Sequence, residues 1–286
     1  QRQGVDYFQT FSLTPKMTTL RLLLHVAAQR DYELHSLDFS IAFLQGSLHE
    51  EIWLRRPLGF TESFPAGTQW SLRLREAPRK WHDTLRTTLA ALRFAPATAD
   101  PSLFLRTDTS LPPFYVLVYV DDLVFATADT KALTLVKSEL QKRHICTDLG
   151  ELRSYLGLQI TRDRARRTIT LTQVLRYLCS TSGMGLVLGG RGPIVLTGHA
   201  DASWVDDSAT QRSSQGYTFS LGSGSVSLRS TRSSLVLNSS CEAEIYAGAM
   251  AAQELRWLTY LLTDLGVQPP SPLVLYVDNK AMTALC

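Results

Sequence analysis

The chain has 286 residues, enough for about two domains and more than one hydrophobic core. Apolar residues make up 44% of it and charged residues 19%, a composition that excludes a disordered chain. The net charge of +3 permits nucleic acid as a partner but excludes a histone-like coat protein.

The cysteines give no sign of a metal or disulfide framework. Cys146, Cys179, Cys241 and Cys286 lie far apart, and no two histidines have the spacing of zinc ligands. We therefore expect a reducing, intracellular setting, cytoplasmic or nuclear. No basic-then-apolar leader is present, and the apolar stretch 114–120 is too short to span a bilayer, so we expect neither secretion nor a membrane partner.

The first half mixes helices and strands, as judged from apolar periodicity and from runs of aromatic and β-branched residues. The predicted elements are helix 17–29, strands 32–39 and 50–56, a loop at 63–69, helix 77–94, strands 103–106, 114–120 and 123–127, helix 131–143, and a hairpin of 151–160 with 168–172. The tip of that hairpin, 162–167, carries four arginines. They are suited either to a nucleic-acid backbone or simply to solvent.

A change of composition separates the two halves. Six of the thirteen residues in 181–193 are glycine or proline, which predicts a loop or linker. We therefore divide the chain into domains 1–173 and 194–286, with a connection at 174–193. The elements predicted beyond the junction are strands 194–200, 216–221, 225–229 and 234–238, helix 241–264, and a buried strand 273–277.

Three carboxylates in the first half stand in apolar surroundings. Asp121 and Asp122 directly follow the apolar run 114–120, and Asp38 lies at the end of a predicted strand. Taken alone, Asp121 and Asp122 also suit a solvated turn. A buried, unpaired carboxylate is costly, however, and Mg²⁺ shared between carboxylates removes that cost. Such a site suits in-line phosphoryl transfer.

Four ordered motifs resemble those of copia-type retrotransposon polymerases. Tyr119-Val120-Asp121-Asp122 resembles the YxDD box of reverse transcriptases. The other three motifs lie at 37–52, 99–104 and 148–158. The resemblance implies an α+β palm with a remnant of the fingers. It implies an RNA-directed DNA polymerase that uses Mg²⁺ or Mn²⁺, an RNA template, a DNA primer and dNTPs.

The resemblance also implies roles for individual residues. Asp38 and Asp121 would be the main metal ligands, with Asp122 as a supporting carboxylate. Phe43 would lie under the sugar of the incoming nucleotide, although core packing is its simpler interpretation. Leu156 and Gly157 would lie where the primer terminus is held.

The second half carries another set of acids. Asp201 and Asp278 each follow a predicted strand, and Glu242 opens the long helix. Their order is similar to that of copia-type ribonuclease H, an α/β fold in which the three acids would bind two Mg²⁺ ions and cleave an RNA–DNA hybrid. Singly, Glu242 suits a helix N-terminus, and the aspartates suit turns. Glu244 lies two positions beyond Glu242, so we expect it to face elsewhere on the helix and do not include it in the site.

The sequence also departs from the copia pattern. A nucleotide-pocket segment before Ala77 is shortened, with Glu76 where the family carries glutamine, and the thumb between Gln173 and Val174 is missing. Upstream fingers residues and the last ribonuclease H acid also lie beyond this sequence. We therefore weigh three hypotheses: an impaired polymerase with ribonuclease H, a non-catalytic nucleic-acid-binding remnant, and a remnant without function.

Overall fold

The computed structural model describes residues 15–45, 77–173, 185–207, 209–222, 224–269 and 272–285. The strand expected at 50–56, the loop at 63–69 and Glu76 lie outside these ranges. The helices are α1 Met17–Gln29, α2 Ala77–Ala91, α3 Thr130–Arg143, α4 Ser240–Asp264 and α5 Lys280–Leu285, with a 3₁₀ turn at Ala42–Leu44. The strands are β1 Glu33–Phe39, β2 Phe94–Pro96, β3 Leu103–Arg106, β4 Phe114–Tyr119, β5 Asp122–Thr127, β6 Cys146–Glu151, β7 Ser154–Tyr155, β8 Leu158–Asp163, β9 Thr168–Gln173, β10 Leu186–Gly189, β11 Leu196–Asp207, β12 Arg212–Leu221, β13 Gly224–Arg232 and β14 Leu275–Tyr276.

An antiparallel sheet of six strands, in the order β2-β3-β4-β5-β1-β6, organises the first half. Its central strand β4 is buried from Phe114 to Val118. Successive side chains of a strand point to opposite faces of the sheet. One face of β4 packs with α2 and α3 through Phe114, Val116 and Val118. The other face packs with α1 through Tyr115 and Leu117. Burial on both faces explains why this strand is apolar without alternation. The expected α+β architecture with an antiparallel sheet is confirmed.

Helix α1 is buried nearly all the way round. Every residue from Leu22 to Ala28 is buried, whereas a surface helix keeps a polar face. One side of α1 packs on the six-stranded sheet, and other sides contact β9, β10 and β13. The buried residues around α1 form one cluster that extends to α4. The two halves of the chain therefore share a hydrophobic core.

Two four-stranded sheets complete the described structure, in the orders β10-β9-β8-β7 and β13-β12-β11-β14. The second of these is mixed, because β11 pairs antiparallel with β12 but parallel with β14. Helix α4 packs on β11 and β12. No helix in the described ranges combines the length and apolarity needed to cross a membrane.

The structure differs from the predicted elements at several places. Helix α2 ends at Ala91 and not at residue 94, and Phe94–Pro96 forms the unpredicted strand β2. Part of the predicted linker forms β10, which pairs with β9, and residues 146–151 add the unpredicted edge strand β6. No strand forms at 234–238, because the Ser233 hydroxyl accepts the Leu235 N–H and turns the chain. The predicted buried strand at 273–277 is reduced to Leu275–Tyr276, and Tyr276 is exposed. The domain limits 1–173, 174–193 and 194–286 stay predictions.

Tyr115 offers a test of the contact between the halves. Its buried hydroxyl donates to the Leu265 main-chain oxygen at 2.8 Å, just after α4. We expect Tyr115→Phe to lower the free energy of unfolding by about 1 kcal/mol, the usual net value of one buried hydrogen bond. Urea unfolding measures this. The exposed Tyr260→Phe is the control, with an expected change within about 0.5 kcal/mol. Equal effects of the two changes would contradict the contact.

Candidate active sites

The β4–β5 hairpin turns on two residues, Val120 and Asp121, between the paired Tyr119 and Asp122. Val120 has φ 56°, a left-handed value that costs a β-branched residue about 1–2 kcal/mol. Two hydrogen bonds hold this turn in place. The Trp81 indole N–H donates to the Val120 oxygen at 2.6 Å, and the Phe39 N–H donates to the Asp121 oxygen at 2.8 Å.

The same pairing brings the three predicted acids together. Asp38 on β1 lies directly opposite Asp122 on β5, so their side chains share one face of the sheet. Asp121 is exposed at the turn, while Asp38 and Asp122 are half-buried. Burial, and then the charges of Asp121 and Asp38, raise the pKa of Asp122 to about 6. Asp38 therefore lies beside the 119–124 turn, as a metal site shared with Asp121 requires.

A cleft of about 620 Å³ begins at Asp122 and continues along the β7–β8 turn. Leu156 and Gly157 line it, and both have positive φ, as a two-residue type I′ turn requires. The Tyr155 hydroxyl is buried there without a hydrogen-bond partner, and burial followed by the charge of Asp122 raises its pKa. The turn that the sequence assigned to the primer terminus thus lines the same cleft as Asp122.

Phe43 lies in the 3₁₀ turn that follows β1. It is half-buried and packs against the cluster that contains Phe39 and Trp81. This position agrees with its simpler interpretation as a packing residue. Its contact with a nucleotide sugar stays a prediction.

A second group of carboxylates forms at the β11–β14 end of the mixed sheet. Asp201, Glu244 and Asp278 each place a carboxylate oxygen within 4.8 Å of the others. Asp201 and Asp278 are exposed, whereas Glu244 is only 6% exposed. Its Oε2 atom is buried without a hydrogen-bond partner. Burial, and then the charges of Asp278 and Asp201, raise the pKa of Glu244.

The placement expected of Glu242 is corrected by this geometry. Glu242 lies outside the group, and its carboxylate accepts the Asn238 N–H at 2.7 Å. Its own N–H donates to the Ser239 hydroxyl at 3.1 Å. The Ser239 hydroxyl caps the helix N-terminus, and the bond from Asn238 ties Glu242 to the residue before the cap, so Glu242 stabilises the start of α4. The helix contributes Glu244 to the acidic group instead.

The sequence contains signals that distinguish the roles of Glu242 and Glu244. Ser239 followed three residues later by Glu242 is the usual pattern of a capping box. Glu244 is in phase with Ala247, Gly248 and Ala251, the buried face of α4. The hydrogen bonds of Trp81 and the position of Tyr155 had no comparable local signal, because both depend on contacts between distant segments.

Both groups of acids suit a divalent cation. Carboxylate oxygens are the ligands that Mg²⁺ prefers, and a cation between them offsets their mutual repulsion. In the second group the unpartnered Glu244 oxygen is an additional vacant acceptor. The residues present therefore fit Mg²⁺ or Mn²⁺ at both places.

The pKa of Asp122 predicts a specific pH dependence of stability. The pKa of Asp122 is about 6 in the folded state, above the ordinary 3.8. The contribution of Asp122 to the free energy of unfolding is therefore complete below the ordinary pKa and is lost as pH rises through about 6. Without divalent cations, we expect the melting temperature of the wild type to fall relative to Asp122→Asn over this range. Melting curves in a chelator, from about pH 4 to about pH 8, measure the difference.

The exposed Asp83→Asn serves as the matched control. The pH-dependent change in melting temperature relative to Asp122→Asn should exceed the change relative to this control. If the difference in melting temperature between the wild type and Asp122→Asn does not change with pH, or changes with the opposite sign, burial and the neighbouring charges do not raise the pKa of Asp122.

Comparison with known proteins agrees with these features. The family described as "Reverse transcriptase (RNA-dependent DNA polymerase)" matches residues 1–194. The Retrovirus-related Pol polyproteins from transposons RE2 and RE1 of Arabidopsis thaliana are 29% and 28% identical, and both cover 100% of this chain. The corresponding polyprotein from transposon TNT 1-94 of Nicotiana tabacum is 25% identical over 98% of the chain.

These matches also give the share of each relative that the chain covers. It spans about a quarter of the length of these relatives, with 26%, 25% and 28% of each covered. The alignment with the RE2 polyprotein has 374 positions against 286 residues, so at least 88 positions have no residue in this chain. With a match over residues 1–194, the chain belongs to the reverse transcriptase (RNA-dependent DNA polymerase) family, among relatives that are copia-type retrotransposon Pol polyproteins.

Proposed function

We propose that the chain derives from an RNA-directed DNA polymerase with ribonuclease H, in which each activity uses one of the two acidic groups. The observation that carries the proposal is the convergence of acids from separate elements at two places, Asp38 with Asp121 and Asp122, and Asp201 with Glu244 and Asp278. Its partners would be an RNA template, a DNA primer, dNTPs and an RNA–DNA hybrid.

The first site would transfer a nucleotide to a primer. Asp38, Asp121 and Asp122 would hold Mg²⁺ or Mn²⁺, which when bound stabilises charge on the attacking and leaving oxygens. Trp81 and Phe39 fix the strained turn, so Asp121 is oriented before any substrate arrives. The cleft past Leu156 and Gly157 would take the primer end, and Phe43 would lie near the nucleotide sugar.

The second site would cleave the RNA strand of a hybrid. Asp201 and Asp278 are exposed and can reach a bound strand, while Glu244 supports them from the buried side. The Ala202 N–H donates to Glu244 and holds that carboxylate in place. We therefore place Glu244, and not Glu242, beside the two aspartates in this proposed site.

The alternative is a remnant that binds nucleic acid without catalysis. The alignment positions without a residue here favour it, because catalysis of phosphoryl transfer depends largely on positioning. For the same reason we expect the activity of this chain to be low even if both metal sites form.

Primer extension tests the first site. We expect weak incorporation of dNTPs with Mg²⁺ or Mn²⁺, and its loss in Asp121→Asn because a metal ligand is removed. The exposed Asp83→Asn should extend the primer as the wild type does. Extension that survives Asp121→Asn would refute the site, and a wild type that binds primer–template without extending it would favour the binding remnant.

Cleavage of an RNA–DNA hybrid tests the second site. We expect Glu244→Gln to lower the cleavage rate by at least about tenfold, as loss of an outer metal-site partner does. Glu242→Gln should retain the rate, because glutamine also caps a helix. A larger loss of cleavage rate in Glu242→Gln than in Glu244→Gln would indicate that Glu242 belongs to the site. Equal cleavage rates in the two variants would indicate that α4 contributes no residue to it.

A further inference from the structure

A second cleft, of about 470 Å³, lies away from both acidic groups. Its lining comes from three segments: the end of α1, the β8–β9 turn and the chain after β10. We term it the arginine cleft, lined by Gln29, Arg30, Arg167, Gly190, Arg191 and Gly192. Each segment contributes one arginine to this lining.

Main-chain carbonyls hold these arginines. Arg30 donates to the oxygens of Leu265 and Gly266, at 3.4 Å and 2.6 Å. Arg167 donates to the Gln29 oxygen at 2.9 Å, and Arg191 to the Ala165 oxygen at 2.7 Å. Each of these bonds orients a guanidinium without neutralising it. Arg167 and Arg191 each use one terminal nitrogen in this way, so their other N–H groups stay available.

Carboxylates compensate the neighbouring arginines but not these. Arg162 and Arg164 lie 2.7 Å and 3.1 Å from Asp31, and Arg166 lies 3.7 Å from Asp163. These ion pairs account for most of the basic hairpin tip. Within the described ranges, no carboxylate lies at ion-pair distance from Arg30, Arg167 or Arg191. The cleft therefore concentrates uncompensated positive charge.

The C-terminus of α1 offsets only part of this charge. A helix C-terminus carries about half a negative elementary charge, which attracts a nearby arginine. Three full positive charges remain in large excess over it. An anion with several oxygens relieves their mutual repulsion and uses their free donors, and a guanidinium matches the oxygens of phosphate in pairs.

We propose that the arginine cleft binds a phosphate group, supplied either by a nucleic-acid backbone or by a free phosphate. The cleft shares no residue with either acidic group, so this binding does not depend on catalysis at those sites. In the wild-type chain, Arg167 and Arg191 would donate to the phosphate, and Arg30 would add positive charge to the lining.

The test compares two double variants of the full chain. Arg167→Gln with Arg191→Gln removes two charges from the cleft, and Arg164→Gln with Arg166→Gln removes two charges from the same hairpin tip outside it. Two probes are used: inorganic phosphate against chloride at equal ionic strength, read as a rise in melting temperature, and a labelled RNA–DNA hybrid, read by fluorescence anisotropy. Circular dichroism in chloride verifies that both variants fold, and the single exposed Arg191→Gln replaces the cleft variant if it does not.

We expect the affinity of the cleft variant for phosphate to fall by about tenfold, the effect of one lost charge-assisted hydrogen bond. The affinity of the control variant should not change. If a backbone supplies the phosphate, hybrid affinity falls by a similar factor and its salt slope decreases by about 1–2. If free phosphate is the ligand, only the phosphate response changes. Equal behaviour of the cleft and control variants with both probes would overturn the proposal.

Discussion

The burial of α1 is the constraint on which the rest of the structure depends. Its side chains from Leu22 to Ala28 have no solvent-facing side, so they require a partner in every direction. The six-stranded sheet fills one direction, and β9, β10 and β13 fill the others. Loss of any one neighbour would expose apolar surface on the helix. Both halves of the chain are therefore stabilised through one shared helix.

Around this core, main-chain pairing holds carboxylates close together against their mutual repulsion. The register of β1 with β5 sets Asp38 opposite Asp122, and the parallel pairing of β11 with β14 brings Asp201 and Asp278 to the same end of a sheet. Burial, and then the charges of the neighbouring carboxylates, raise the pKa values of Asp122 and Glu244, so the arrangement has a free-energy cost when the acids are ionised. A bound cation would offset that cost at both places.

Local patterns were sufficient for most of the first half. The apolar run at 114–120 followed by two aspartates predicted the β4–β5 hairpin, and the resemblance to copia-type polymerases implied that Asp38 lies near Asp121. Glu244 is in phase with the buried alanines of α4, but a polar side chain does not by itself indicate a buried face. Its neighbour Glu242 occupied the more familiar position at the helix start.

Long-range contacts were the other part that local patterns could not supply. The strand β10 lies in a glycine-rich stretch, and it forms because β9 and α1 offer it a partner and a core. The bonds from Tyr115 to Leu265 and from Trp257 to Ala99 join residues more than a hundred positions apart. Such contacts arise from the assembled fold and leave no periodic trace in either segment.

The most direct measurement is anomalous scattering from crystals of the full chain soaked in Mn²⁺. The account predicts one peak among Asp201, Glu244 and Asp278, and another beside Asp38 and the Asp121–Asp122 turn. A peak beside Glu242 with none at Glu244 would contradict the account. Carboxylates that point apart, with no peak at either place, would also contradict it.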